Sequence, residues 1–217
     1  MDKAKVQEAL AKLRKDSPKR NFQQSIDLIV NLRGLDLKKT EQQFEIFFPL
    51  PHGKGKPVRV CALVGPELHQ HAKEVCNTAI VEQEFEKYGK EKKILRKLAE
   101  GHDFFIAQAN IMPRIATVFG KVLGPKKKMP NPKAGCIVPP KTNLKPLVEK
   151  LQNTARISVK EKLFVQLMVG IEAMKDEQIV ENVMTAYEQL LPNLPNEKNN
   201  IKNMFLKFTM SKPVRLM

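Results

Sequence analysis

The chain has 217 residues, of which 42% are hydrophobic, and its 38 lysines and arginines outnumber 23 acidic residues to give a net charge of +15. That length allows one large domain or two small ones, and the absence of any apolar run of about 18 residues excludes a membrane-spanning helix. The charge favours a polyanionic partner such as nucleic acid. We expect no binding to a membrane, because the amphipathic helices are all needed for a core.

The first predicted element is an amphipathic helix over 3–14, on the helical spacing of Val6, Leu10 and Leu13. This segment is charged from position 2 and lacks an apolar core, so we expect no signal peptide. Apolar residues then alternate with polar ones over 22–32 and again over 44–50. Period two of this kind predicts half-buried antiparallel strands.

The segment PHGKGKP at 51–57 is rich in proline, glycine and lysine and predicts a linker or hinge. Beyond it, continuous apolar runs at 58–64 and 103–109 alternate with helical stretches. That order is typical of a parallel sheet covered by helices. A Pro/Lys/Gly-rich segment at 124–140 is expected to lack regular structure, and a helix is expected over 142–155.

The half-buried pattern returns near the end of the chain, where Leu163, Val165, Leu167 and Val169 alternate with other residues. A helix that we expect Asp176 to cap follows, and then a last alternating strand through Met210. We expect the final few residues to be a tail.

The predicted fold class is therefore α/β with two domains. Residues 1–54 and 157–217 form an α+β two-layer domain from both chain ends, and residues 55–156 form an inserted Rossmann-like three-layer αβα domain. The two crossings are expected at PHGKGKP and NTARIS.

Catalytic and ligand-binding signals are weak throughout. There is no G-x-G-x-x-G or Walker-type glycine motif, and His69 and His71 are two apart on a predicted helix and so lie on different faces. We therefore expect no enzyme activity, no cofactor and no metal site. Cys61, Cys76 and Cys136 form no CxxC pair, which indicates structural thiols in a reducing, cytoplasmic setting.

Two features could contact RNA or could be ordinary structure. Lys121, Lys126, Lys127, Lys128 and Lys133 lie on a proline-stiffened loop without acids, which suits phosphate contact but also a solvated loop. Phe22 stands at a strand entrance beside Lys19 and Arg20. It could pack on a ribose or base, or be a core phenylalanine.

Several long segments, in order along the chain, resemble the ribosomal protein L-one family in its archaeal type. They are RNFQQSIDLIVNL (20–32), LPHGKGK (50–56), HDFFIAQANIMP (102–113), LGPKKKMPNPKAG (123–135) and FTMSKPVR (208–215). The resemblance implies the same nested architecture and a structural rRNA-binding protein of the large ribosomal subunit, cytoplasmic on the ribosome and monomeric when free. It also implies a mobile stalk that assists release of deacylated tRNA from the exit site, and repression of translation through its own mRNA.

The RNA-binding residues implied by the resemblance come from both chain ends. They are Phe22, Ser25, Asp27, Thr209, Met210 and Ser211, with Arg20, Lys160, Lys162 and Gln166 expected near the same surface. Ser211 departs from the family, which has glycine there, and is expected to weaken one close approach. The alternatives are a general basic nucleic-acid-binding protein and a Rossmann-like enzyme.

Overall fold

The computed structural model describes all 217 residues, and they form two compact units. Residues 1–56 with 153–217 make the first unit, and residues 57–152 make the second. No helix is long and apolar enough to cross a membrane. The mixed α/β class expected from the sequence is confirmed.

The elements run as follows in chain order. The first part contains α1 (Lys3–Asp16), β1 (Ser25–Leu32) and β2 (Phe44–Pro49). The middle part contains β3 (Val60–Val64), α2 (Pro66–Val75), β4 (Thr78–Val81), α3 (Phe85–Lys90), α4 (Lys92–Gly101), β5 (Phe104–Gln108), α5 (Met112–Leu123), β6 (Ile137–Val138) and α6 (Lys145–Asn153). The last part contains β7 (Thr154–Val159), β8 (Phe164–Ile171), α7 (Asp176–Leu190), β9 (Ile201–Phe208) and β10 (Val214–Arg215).

The first unit is built on an antiparallel sheet in the order β10-β9-β1-β8. Burial alternates strictly along β1, so Ile26, Leu28, Val30 and Leu32 enter the core while the residues between them face outward. Helices α1 and α7 pack against each other and share this core with the sheet. The inner face is buried because its apolar residues recur at the strand period of two.

The second unit contains a parallel sheet in the order β4-β3-β5-β6. All five residues of β3 are buried, as the unbroken apolar run predicted. Under the helices, the rings of Phe85 and Phe119 meet edge to face with centroids 5.0 Å apart.

The strand ends differ from the sequence expectation. β1 begins at Ser25, so Phe22 lies in a bend before the strand, and β9 ends at Phe208, so Met210 lies in a turn. The sequence pattern extended both strands too far because Phe22 and Met210 are apolar residues at alternating positions, yet neither side chain is buried.

Two helix expectations were also wrong in detail. Asp176 is the first residue of α7, not its cap, and its carboxylate accepts a hydrogen bond from Arg14 Nε at 2.8 Å. The amide before the helix, that of Lys175, donates to the side chain of Gln178 at 3.3 Å. The helix predicted over 142–155 runs from Lys145 to Asn153 and is followed directly by β7. The expected crossing segment NTARIS begins where the sequence passes from the second unit back to the first, and most of it lies in β7.

The last residues and the proline-rich segment carry more structure than expected. Residues 137–138 form β6, which adds to the edge of β5. At the chain end β10 pairs with β9, the Leu216 amide donates to Met204 O at 2.8 Å, and the Leu216 side chain is buried. The final residues are therefore part of the sheet and core of the first unit, not a tail.

Candidate nucleic-acid interface

The start of β1 and the end of β9, the two central strands, meet at one end of the sheet. In the antiparallel register Ile26 lies opposite Phe208, which brings Ser25 beside Thr209. The Thr209 amide donates to Ser25 O at 3.1 Å, and the Ser25 amide donates to Thr209 Oγ1 at 3.0 Å. Two predicted site residues that are far apart in sequence are thus joined by backbone pairing.

A buried glutamine holds the turn that follows Thr209. Gln24 is 1% exposed, and its Oε1 accepts a hydrogen bond from the Met210 amide at 3.2 Å. The side-chain Nε2 of Gln24 lies 3.5 Å from Glu172 Oε2. The backbone carbonyl of Gln24 accepts a hydrogen bond from the Glu172 amide at 3.0 Å. Sequence reasoning did not select Gln24. The available signal was a polar residue at an inward position of an otherwise apolar alternation.

Two large apolar side chains stand exposed on either side of this junction. Phe22 is 51% exposed and Met210 is 61% exposed. The core alternative for Phe22 is therefore wrong. Isolated exposed residues are ordinary, but a ring and a thioether flanking one polar junction provide surfaces on which bases or riboses can pack.

Positive charge lies beside the junction. Phe22 lines a shallow depression of about 430 Å³ together with Lys19, Arg20 and Glu172. On the other side, Lys56 Nζ donates a hydrogen bond to Ser25 Oγ at 2.8 Å. Lys56 was not selected from the sequence, where it is one lysine of the expected linker.

Ser211 closes the turn locally. Its hydroxyl accepts a hydrogen bond from the Phe208 amide at 2.9 Å and donates to Lys212 O at 3.0 Å. Its φ is not positive, so this backbone conformation does not require glycine. The hydroxyl fixes the end of β9.

Asp27 and Gln166 lie together on the outward face of the sheet. Gln166 Nε2 donates to Asp27 Oδ2 at 3.2 Å, and Lys207 is the cross-strand neighbour of Asp27 on β9. A carboxylate with one oxygen engaged by an amide keeps acceptor capacity for a hydroxyl or amino group.

The two remaining lysines differ. Lys162 Nζ lies 5.7 Å from the ring centroid of Phe164, whose side chain is 40% exposed, so a cation and a ring are presented together. Lys160 Nζ instead pairs with Glu45 Oε2 at 2.5 Å, and Arg156 Nη2 pairs with Glu45 Oε1 at 2.7 Å. Burial raises the pKa of Glu45, but the hydrogen bond from Lys160 and the charge of Arg156 outweigh it and hold that pKa below its ordinary value. Lys160 therefore has a structural partner that the sequence did not predict.

The lysine loop of the second unit is also partly structural. Lys128 Nζ donates to Ala99 O at 2.9 Å and to His102 O at 2.6 Å, which satisfies carbonyls at the end of α4. Lys126 Nζ donates to Glu100 at 2.9 Å.

The three thiols of the chain are buried and unreactive. All three cysteines are free and buried, and burial raises the pKa of Cys61 far above that of an ordinary thiol and those of Cys76 and Cys136 to about 11. Such thiols are protonated and inert at neutral pH, as structural cysteines are. No group of three or more His, Cys, Asp or Glu side chains could hold a metal ion.

These features describe a basic α/β protein of two compact units, with a polar junction at the surface and exposed Phe22 and Met210 near it. Residues 13–212 match the model of the ribosomal protein L1p/L10e family. The chain is 40% identical over 212 residues to the large ribosomal subunit protein uL1 of Methanobrevibacter smithii, covering 97% of this chain and 98% of that one. It is 38% identical over 216 residues to the uL1 proteins of Methanocaldococcus jannaschii and Pyrococcus horikoshii, covering 96% of each.

The chain belongs to the ribosomal protein L1p/L10e family, and the three relatives named above are archaeal. Membership of this family confirms three expectations from the sequence. The chain is a structural protein of the large ribosomal subunit, it is cytoplasmic with the ribosome, and it is not an enzyme. The resemblance drawn from the sequence motifs is likewise confirmed.

Proposed function

We propose that the junction of β1 and β9 grips a folded region of the large-subunit rRNA. The single observation that carries this proposal is the joining of Ser25 to Thr209, flanked by the exposed Phe22 and Met210. This arrangement offers backbone groups, a hydroxyl, a ring and cations at one end of the sheet. Structured RNA is recognised by such contacts with riboses, phosphates and unstacked bases.

The geometry supports a division of roles within the proposed site. Arg20, Lys19 and Lys56 supply salt-sensitive attraction to phosphates. Specificity comes from the shape of the junction, with Phe22 and Met210 packing on nucleotides and Asp27 accepting a hydrogen bond from a 2′-hydroxyl or base amine. Lys162 and Phe164 extend this surface along the outward face of β8, which Gln166 joins to Asp27.

The resemblance to the family supports the wider role. We propose that the protein forms a mobile stalk on the ribosome, assists release of deacylated tRNA from the exit site, and binds its own mRNA at a site that mimics the rRNA. We also propose that the free protein is a monomer and that the two compact units are separate domains, with the RNA site wholly in the first.

A competition titration tests the proposal. The full chain is bound to a labelled stalk fragment of large-subunit rRNA at moderate salt, and random RNA of equal length and duplex DNA are the competitors. We expect stalk RNA to be preferred by about 10³-fold or more, as for specific over non-specific nucleic-acid binding. Equal competition by random RNA or duplex DNA would instead identify a general basic nucleic-acid-binding protein.

A further inference from the structure

The second unit carries a groove that the RNA site does not use. It lies between α4 and α5, has a volume of about 770 Å³, and is called the α4–α5 groove below. Its apolar lining is formed by Leu95, Val118, Val122 and Pro125. Its charged lining is formed by Lys92, Arg96, Lys121 and Lys126, with Glu100 as the one acid.

The charge of the groove is unbalanced. Glu100 is already engaged, because Lys126 donates a hydrogen bond to it at 2.9 Å and so lowers the pKa of that carboxyl. Lys92, Arg96 and Lys121 form no salt bridge within the chain. Four cations against one carboxylate leave the groove with an excess of positive charge, which is complementary to an acidic ligand with an apolar face.

The lining favours a protein ligand over RNA. No aromatic side chain lines the groove, so there is no ring on which a base could stack, in contrast to Phe22 at the RNA site. A floor of leucine, valine and proline is suited to aliphatic side chains instead. Helices of 10 and 12 residues are about 15 and 18 Å long, so the walls match a ligand helix of about three turns.

We propose that the α4–α5 groove binds an acidic amphipathic helix of a partner protein. The apolar stripe of that helix packs on Val118, Val122 and Pro125, and its carboxylates meet Lys92, Arg96 and Lys121. Binding of an amphipathic helix in an apolar groove with anchors at helical spacing is an established mode of recognition. The groove gives the second unit a protein-docking role that is separate from RNA binding by the first.

The test uses helical peptides displayed on phage and selected on the intact protein. We expect enriched peptides to combine net negative charge with apolar residues at i, i+3/i+4 and i+7. The affinity of an enriched peptide is then measured by fluorescence anisotropy on two charge reversals of α4. Lys92→Glu with Arg96→Glu alters the groove, while Lys93→Glu with Lys97→Glu makes the same change one residue along, on exposed positions outside it.

The groove reversal should weaken peptide binding by about tenfold or more, as for loss of close charge pairs, while the matched reversal leaves it within about twofold. Thermal melting of both variants checks that the unit remains folded. A second pair, Val122→Asn in the floor and Ala116→Asn on the exposed side of α5, tests the apolar contact in the same way.

The proposal is overturned if no acidic helical peptide is enriched, or if both reversals weaken binding equally. It is also overturned if the groove reversal weakens binding of a tRNA-sized RNA and leaves the enriched peptides unaffected, since the groove would then be a nucleic-acid surface. None of these outcomes depends on the rRNA titration, because the altered residues lie in the other unit.

Discussion

The side-chain oxygen of Thr209 accepts a hydrogen bond from the amide of Ser25, a residue 184 positions earlier in the chain. The Thr209 hydroxyl therefore positions the junction of β1 and β9 before any RNA is present. Its contribution to binding is then partly organisation of the site, since a group already held in place loses less freedom when the RNA binds.

Replacing Thr209 with valine removes this hydroxyl and leaves the shape almost unchanged. We expect Thr209→Val to weaken stalk RNA binding by about 1–3 kcal/mol, as for loss of one hydrogen bond, with no change in the salt dependence. Thr209→Ser keeps the hydroxyl and should bind nearly as the unaltered protein does. Filter binding or anisotropy at several salt concentrations gives both quantities.

The control for this change is Thr117→Val. The Thr117 hydroxyl likewise bonds to the backbone, donating to Pro113 O at 3.0 Å, but it lies on α5 in the other unit. Stalk RNA affinity unaffected by Thr209→Val, or lowered equally by both changes, would contradict the assignment.

Gln24 is expected to act on binding through the turn that it holds. Gln24→Leu removes the acceptor for the Met210 amide and should cost about 1 kcal/mol of unfolding free energy, with a clear loss of stalk RNA affinity. Gln152→Leu is the matched change, because the Gln152 side chain also makes two hydrogen bonds, both to Val58. Urea unfolding should show a loss of stability in both variants, but only Gln24→Leu should bind stalk RNA less well. An equal loss of RNA affinity in the two variants would refute the role of Gln24.

Arg20 is expected to contribute charge rather than shape. Arg20→Ala should weaken binding of stalk RNA and random RNA alike and reduce the slope of log affinity against log salt by about one. Lys93→Ala removes one charge from an exposed position of α4 in the other unit and should leave the slope unchanged. A slope that stays constant in Arg20→Ala would show that this side chain makes no phosphate contact.

Leu216 anchors the final strand, as its burial against the sheet indicates. Leu216→Ala should lower the free energy of unfolding by about 2–4 kcal/mol, since a buried leucine is truncated. Met217→Ala, at a neighbouring side chain that is 39% exposed, should change it by less than about 0.5 kcal/mol. Similar urea midpoints for the two variants would mean that the chain end is not part of the core.

The ion pairs of Glu45 predict a dependence of stability on pH. The pKa of Glu45 in the folded protein lies below its ordinary value of 4.5, so the ionised carboxylate stabilises the fold above that pH. This contribution is lost as the pH falls through the lowered pKa. Glu45→Gln should therefore cost about 1 kcal/mol near pH 7, a modest figure because Lys160 is partly exposed to screening solvent.

The difference in free energy of unfolding between the unaltered protein and Glu45→Gln should shrink in acid. Urea unfolding at pH 7 and near pH 3 measures this difference, and a larger difference near pH 3 would contradict the prediction. Lys198→Gln is a suitable control, since it removes an exposed charge away from this cluster and should leave the difference constant.

Much of the fold could be predicted because burial leaves a periodic trace. The alternation through Ile26, Leu28 and Val30 and the unbroken run of β3 reflect one-sided and two-sided burial directly. The start of β1 and the end of β9 could not be predicted, because Phe22 and Met210 are apolar residues that continue the alternation although their side chains are exposed. β6 has two residues, too few for any period to be visible.

The site was predicted only in part for a different reason. Thr209 and Ser25 came from resemblance, whereas Gln24, Lys56 and the Lys160–Glu45 pair depend on partners brought close by tertiary pairing. For Gln24 the only local signal is a polar residue at an inward position of the alternation, and Lys56, Lys160 and Glu45 have no local signal. Asp176 shows the same effect of a tertiary partner. Its side chain is of a type that often caps a helix, but here its carboxylate pairs with Arg14 of α1 instead.

The pairing of Ser25 with Thr209 also sets an order of events during synthesis. The ribosome must add 184 residues after Ser25 before its partner exists, while residues 57–152 are contiguous and can fold earlier. A chain that stops short of Thr209 therefore contains all residues of the second unit but lacks the partner of Ser25 in the proposed RNA site. We expect such an incomplete chain not to bind stalk RNA, because one of the two residues of the proposed junction is missing.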